Sequence, residues 1–197
     1  MYNLMIRTKL QMPIKRERAI SRPALIQKLD EGLAVNRRLT LISAPPGYGK
    51  TSLAVEWANH SDANFVWLSI DSGDDEPIRF FTYLIAALQT QDKNIGMAAQ
   101  SLLDAPKFPP LEMLMGTLIN DISETVGKIV LVLDDFQYIQ NSILNEAIQL
   151  LMENQPQTLH LVVVSRKNPA ISLPRFRARG QMTEIRENDL KFSHEEA

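Results

Sequence analysis

Apolar residues along this chain fall into two kinds of stretch. Short, nearly uninterrupted runs at 39–43, 64–70, 129–133, 159–164 and 183–185 are rich in Leu, Val, Ile, Phe and Trp and predict strands. Between them, apolar positions recur at helical spacing. One helix is predicted from Pro23 through Leu25, Ile26, Leu29 and Leu33, and another over 51–60 with Leu53, Ala54, Trp57 and Ala58 inward. A third starts at Pro77 with Ile78, Phe81, Ile85 and Leu88 on one face, followed by a short patch at 98–103. Two more run from 111, with Leu114, Leu118 and Ile122, and over 142–153, with Leu144, Ile148 and Leu151. Pro23 and Pro77 suit the first helical position. Met113 and Met115 are expected as core filler, and Trp57 as core. Residues 1–22 carry little periodicity and read as an extended lead-in. Residues 169–180 are rich in Pro and Arg, with Arg175 and Arg179 on one solvated helical face.

Length and composition narrow the class. A chain of 197 residues suits one α/β domain, burying roughly 70% of its unfolded surface. The absence of cysteine excludes disulfides, thiolate zinc sites and cysteine nucleophiles. No apolar run nears the roughly 18 residues of a membrane span, and the N-terminal stretch lacks the apolar core of a signal peptide. The expectation is a soluble, cytoplasmic protein. A net charge of −2 and a pI near 5.9 argue against strong nucleic-acid binding. The charge is uneven, because Arg7, Lys9, Lys15, Arg16, Arg18, Arg22 and Lys28 face only Glu17 within the first 28 residues. A solvated basic arm is the expected reading, with contact to phosphates or an acidic partner as the alternative.

The candidate chemistry lies where strands end. After the first strand comes Ala44-Pro-Pro-Gly-Tyr-Gly-Lys-Thr-Ser52, a P-loop pattern with Ala44 in place of the usual first glycine. Gly47 and Gly49 let backbone N–H groups approach phosphate oxygens, and the following helix presents its positive end. Lys50 is the candidate for the β- and γ-phosphates and Thr51 for Mg²⁺. The third long run ends in Asp134-Asp135, and two carboxylates at the end of a strand buried on both faces need a cation or donors. Beside a P-loop this is a Walker B arrangement, with Asp134 holding Mg²⁺ and Asp135 orienting or activating the attacking water. The fourth run ends in Ser165-Arg166, whose guanidinium can read a γ-phosphate or simply pair with a surface acid. Asp71, Asp74, Asp75 and Glu76 precede Pro77; their spacing does not fit an EF-hand, and capping of the next helix is the expected role. His60, His160 and His194 receive no catalytic or metal role. Ser193-His-Glu-Glu196 reads as a capping box that opens a further helix.

With these residues placed, the chain resembles the N-terminal nucleotide-binding domain of the signal-transduction ATPases with numerous domains (STAND), within them the MalT-like, LuxR-family transcriptional activators. The resemblance runs through Lys9-Leu10, Ile20-Ser-Arg-Pro23, the P-loop, Trp67-Leu-Ser-Ile-Asp71 with Asp74 and Pro77, Leu131-Val-Leu-Asp-Asp135, Ser165-Arg166 with Pro169, and Asp189-Leu-Lys-Phe192 with Glu195-Glu196. An Ala-Pro-x-Gly P-loop is usual in that family. Gln137 departs from it, a His being common there, and so does Asp75-Glu76, where Asn-Asp is common.

The resemblance implies an α/β P-loop NTPase fold of ASCE/STAND type, a parallel sheet in the order 5-1-4-3-2 with helices on both faces. It implies a lead-in over 1–22 that contributes to the adenine site through Ile20, Ser21 and Arg22, a nucleotide-binding domain over 23–190, and the start of a truncated helical domain at 191–197. Nucleotide contacts are expected at Pro46, Gly47, Tyr48, Gly49, Lys50, Thr51 and Ser52, with Lys50, Asp134, Asp135 and Arg166 catalytic and Thr51 and Asp134 on the metal. The implied ligands are ATP or ADP and Mg²⁺. The implied role is a regulatory switch reset by slow hydrolysis, self-associating in its ATP form, with helical, repeat-sensor and C-terminal helix-turn-helix domains elsewhere in a longer chain. This portion is expected to bind neither DNA nor a membrane. The competing reading is a turnover ATPase of loader or motor type, against which stand Asp135, where many fast ATPases carry Glu, and the lack of an evident arginine finger.

Overall fold

Strands that are apolar on both faces need cover on both, and the chain supplies it by alternating strands with helices. The computed structural model describes residues 5–14 and 20–191. In chain order it contains α1 (Pro23–Ala34), β1 (Leu39–Ser43), α2 (Lys50–His60), β2 (Asn64–Ser69), α3 (Pro77–Leu88), α4 (Met97–Leu103) and α5 (Leu111–Ser123). There follow β3 (Ile129–Asp134), α6 (Ser142–Glu153), β4 (Leu159–Ser165), α7 (Pro174–Ala178), β5 (Met182–Arg186) and α8 (Glu187–Leu190). Short 3-10 turns lie at Arg7–Leu10, Ser72–Asp75 and Phe136–Tyr138.

The sheet is parallel throughout in the order β2-β3-β4-β1-β5, which is the expected 5-1-4-3-2. Successive strand residues point to opposite faces, and two apolar layers result. Leu41, Leu68, Leu131, Leu133, Leu161 and Val163 share one layer with residues of α3, α5 and α6. Ile42, Trp67, Val130, Val132, Val162 and Val164 share the other with Leu29 of α1 and Leu53 and Trp57 of α2. At about 1.5–3 kcal/mol for each fully buried large aliphatic side chain, these layers are the main stabilising term. Register puts the strand ends level: Ser43 of β1 stands opposite Ser165 of β4 and Arg186 of β5. Among the described residues no helix is long and apolar enough to cross a membrane.

Several details depart from the sequence expectation. Ile78 is exposed, and the buried face of α3 is Phe80, Phe81, Tyr83, Leu84, Ile85, Ala87 and Leu88. Ile78 sits in the first turn, where side chains lean back toward the helix start and away from the packed layer. Met115 is buried, but Met113 is exposed because it falls off the stripe that Leu114, Met115, Leu118 and Ile122 share. The lead-in is not simply extended or solvated. Lys9, in the first 3-10 turn, is buried, with its ammonium 2.9 Å from Asp71, in contact with Asp74, and 4.5 Å from the Tyr83 ring centroid. The backbone N–H of Ile6 donates to the Tyr83 hydroxyl at 3.0 Å. Lys15, Arg16, Glu17 and Arg18, and the 192–197 stretch with its capping box and His194, lie outside the described residues.

The acid cluster does cap, as expected. Glu76 accepts from the N–H groups of Ile78 (3.0 Å) and Arg79 (2.8 Å) at the start of α3, and Asp71 and Asp74 close the preceding turn on each other. Asp75 reaches further, accepting from the N–H groups of Gln140 (2.7 Å) and Asn141 (2.8 Å). His160 is buried between the Arg37 carbonyl (2.7 Å) and the Thr40 hydroxyl (2.9 Å), and burial pushes its pKa down to about 4. It is a neutral core residue.

Candidate functional site

The site begins with the turn between β1 and α2. Ala44 ends the buried stretch, and Pro45 and Pro46 stiffen the path to two left-handed residues, Gly47 (φ +88°) and Gly49 (φ +74°). A Cβ built on either glycine would meet nothing within 4 Å, so the glycines serve a backbone conformation and leave the space beside it open. Gly49 is the N-cap of α2, so the first turn at Lys50, Thr51 and Ser52 brings unpaired N–H groups and a positive helix end to the loop. Nothing here requires glycine at Ala44.

Three candidate side chains converge on that turn. Lys50 is 8% exposed and donates from Nζ to the Pro45 carbonyl at 2.9 Å, so it arches back over the loop. Burial and then the Arg166 guanidinium lower its pKa, while Asp135 and Asp134 oppose them. Thr51 Oγ1 donates to Asp134 Oδ1 at 3.0 Å, and the Asp135 N–H donates to the same oxygen at 3.0 Å. Asp134 is 4% exposed, and burial, with Asp135 beside it, pushes its pKa up to about 6. A carboxylate so placed is short of positive charge. Two hard oxygens 3.0 Å apart suit neighbouring corners of a Mg²⁺ octahedron, whose ligands lie about 2.1 Å from the ion. The residues present therefore fit Mg²⁺ shared with phosphate oxygens. No cluster of three or more His, Asp or Glu among the described residues offers an all-protein metal site.

Asp135 and Arg166 form the far side. Asp135 takes a left-handed conformation (φ 58°), uncommon outside glycine, which turns the chain sharply at the end of β3. Its Oδ1 accepts from Gln137 Nε2 at 2.7 Å and lies 3.7 Å from Arg166 Nη2. Gln137 Oε1 in turn accepts from the Arg166 backbone N–H at 3.0 Å. One amide thus ties the turn after β3 to the residue after β4. In the sequence Gln137 was visible only as a departure from a family pattern.

Beside the P-loop lies a cavity of about 640 Å³ lined by Pro46, Gly47, Tyr48, Gly49, Leu190 and Lys191. Tyr48 donates its hydroxyl to Glu187 Oε1 at 3.1 Å, fastening α8 to the loop. Sequence reasoning marked Leu190 and Lys191 only as part of the Asp189-Leu-Lys-Phe192 pattern, not as wall residues, and did not single out Glu187. Ile20, Ser21 and Arg22 do not line this cavity. Ile20 is half exposed, and Ser21 and the Arg22 backbone bind the Glu56 carboxylate of α2. The Arg22 guanidinium instead donates to the carbonyls of Asp189 (2.7 Å), Leu190 (2.9 Å) and Lys191 (3.3 Å).

Residues 34–167 match a family model described as an AAA domain. The chain is 34% identical over 194 residues to the HTH-type transcriptional regulator MalT of Klebsiella pneumoniae, and 36% identical over 195 residues to that of Yersinia enterocolitica. Each match covers 98% of this chain and 21% of the relative, so the chain spans about a fifth of the length of these curated relatives. In fold it is similar to Cdc6p from Pyrobaculum aerophilum (TM-score 0.56, 18% identity, 91% of this chain and 49% of that one). It is similar also to a Walker-type ATPase of Pyrococcus abyssi (TM-score 0.52, 19% identity, 79% of this chain and 48% of that one).

Proposed function

As the chain belongs to the AAA domain family of P-loop proteins, we propose that it is an ATP/ADP-binding switch module of a MalT-like, LuxR-type transcriptional activator, with slow hydrolysis as its reset. The observation that carries this reading is the 3.0 Å pairing of Thr51 with Asp134 at the mouth of a loop whose lysine is already folded over it. In the bound state Lys50 exchanges the Pro45 carbonyl for β- and γ-phosphate oxygens, while the N–H groups of 47–52 cradle the phosphates. Thr51 and Asp134 would hold Mg²⁺, which would supply charge neutralisation on those phosphates. Asp135, braced by Gln137, orients the attacking water. Arg166 stands where a γ-phosphate, present in ATP and missing in ADP, competes with Asp135 for its guanidinium.

The difference between the two nucleotides is then a difference in charge facing Arg166 and Lys50, and such differential contact is what shifts a conformational equilibrium. The helical, repeat-sensor and helix-turn-helix parts that a MalT-like protein carries belong to other portions of a longer chain, as do self-association in the ATP form and promoter binding. With a net charge of −2, the present portion binds nucleotide and not DNA. Isothermal titration of Mg-ATP into the protein and into Lys50→Ala tests the reading: the variant is expected to bind at least about tenfold more weakly, and equal affinity overturns the assignment. Steady turnover near 1 s⁻¹ or faster would favour the motor or loader class instead.

A further inference from the structure

Arg22 is 9% exposed, and its two terminal guanidinium nitrogens donate to the main-chain carbonyls of Asp189, Leu190 and Lys191. These are carbonyls at the end of α8, a single-turn helix whose last C=O groups find few partners within it. A planar fork meets such a fan of acceptors in a way an ammonium cannot. Two of the three residues so held, Leu190 and Lys191, are wall residues of the cavity beside the P-loop. The other end of the same segment is fixed to the loop by Tyr48 and Glu187. Arg22 is itself anchored, since its N–H and the preceding Ser21 hydroxyl both donate to Glu56 of α2, the helix that the P-loop opens. The contacts close a ring: α2 to Glu56, to Ser21 and Arg22, to the 189–191 backbone, across the cavity to Tyr48 and Gly49, and back into α2. The half-exposed Lys28–Asp189 pair at 3.3 Å adds little to it.

We infer that Arg22 is a positioning residue for the nucleoside end of the site: it touches no ligand atom, and by gripping the 189–191 carbonyls it holds Leu190 and Lys191 at the distance from the P-loop that admits a base and ribose. The cavity volume falls in the range of small-molecule sites. Lys50, Thr51 and Asp134, by contrast, do not line this cavity, and Arg22 does not hold them. Loss of Arg22 therefore acts on the nucleoside and spares the phosphates. The inference rests on the reading of residues 44–52 as a phosphate cradle, and the two can fail separately.

The experiment compares Mg-ATP with Mg-tripolyphosphate, which carries the phosphates and no nucleoside, by titration against the parent, Arg22→Met, Arg22→Lys, Leu190→Ala and Lys50→Ala. Arg22→Met is expected to bind ATP about tenfold more weakly while its tripolyphosphate affinity stays within about twofold of the parent. Arg22→Lys falls between. Leu190→Ala, which leaves Arg22 and its carbonyl partners in place, shows the same selective loss and keeps the inference testable should Arg22→Met fold poorly. Hydrogen–deuterium exchange supplies the second readout: ATP slows exchange at 187–191 in the parent, tripolyphosphate does not, and Arg22→Met abolishes the ATP effect. Equal losses for both ligands, or none for either, overturn the positioning role. A Lys50→Ala variant that binds both ligands like the parent removes the phosphate cradle instead.

Discussion

Thr51 donates its hydroxyl to Asp134 across 3.0 Å, joining the first turn of α2 to the end of β3 within a site where Asp134 is almost fully enclosed. Burial first, and the neighbouring Asp135 second, raise the Asp134 pKa from 3.8 to about 6. Between those values the folded, ligand-free protein binds a proton that the unfolded chain has released. Asp134 therefore favours the fold fully below pH about 4, and this contribution is lost as pH rises through about 6. The shift corresponds to roughly 3 kcal/mol at most. Asp134→Asn is expected to raise the urea midpoint of the ligand-free protein above pH 6 and to lose this advantage near pH 4. Identical midpoints for parent and variant across that range would contradict it. Mg-ATP should restore the parent's stability at neutral pH and do much less for the variant.

Gln137 connects Asp135 to the backbone of Arg166, so substitutions at the three are expected to be coupled. Arg166→Ala is expected to narrow the ratio of ATP to ADP affinity, and Gln137→Ala to narrow it by a smaller factor. The double variant should fall short of the sum, with a coupling of about 0.5–1.5 kcal/mol. Titration of both nucleotides into all four proteins reads this directly, and strict additivity would remove Gln137 from the γ-phosphate side.

Two glycines with equally open surroundings separate conformation from space. Gly49 has φ +74° while Gly116 lies within α5, and a Cβ on either meets nothing within 4 Å. Gly49→Ala is expected to destabilise by about 1–2 kcal/mol from the left-handed backbone alone, and to weaken ATP binding if the loop relaxes. Gly116→Ala is expected to stabilise by about 0.5–1 kcal/mol. Chemical denaturation of both variants checks the sign of each.

Lys9 joins the N-terminal segment to the turn after β2. Asp74, 1% exposed, would keep only Arg79 (Nε at 3.0 Å) and the Asp71 N–H (2.8 Å) after Lys9→Met. The expected loss is about 1–3 kcal/mol, read from the urea midpoint, with earlier proteolysis near residues 5–14. Asp71, half exposed, is held below the usual carboxylate range first by its hydrogen bond from Lys9. Lys9→Met should therefore return its carboxyl toward the ordinary value, which carbon-13 titration can follow.

The five strands were legible because each is a short apolar run, but their order came only with the family resemblance, since no motif says that β4 lies between β1 and β3. That Lys50, Thr51 and Asp134 come together was legible because each sits at a strand end or in the first turn after one, where local pattern and chemistry coincide. Lys9 was not, since its partners are 62 and 65 residues away and its own surroundings read as a solvated basic run. Arg22 was expected at the adenine site, and its guanidinium grips main-chain carbonyls. The sequence carries no mark distinguishing a guanidinium aimed at a base from one aimed at carbonyls 167 to 169 residues on. Ile78 and Met113 show a related limit, because a helical stripe fixes a direction but not where the covering layer ends.

All five strands point the same way, so Lys50, Thr51, Asp134, Asp135 and Arg166 all gather at the carboxyl ends of the strands. The opposite ends carry the loops that enter the strands, among them the one after α5 where Val126 is 98% exposed. The six residues of β3 put about 20 Å between that loop and Asp134. A dye, an affinity handle or an inserted peptide at 125–127 would therefore leave the nucleotide end untouched, and the molecule comes with a built-in place from which to watch it.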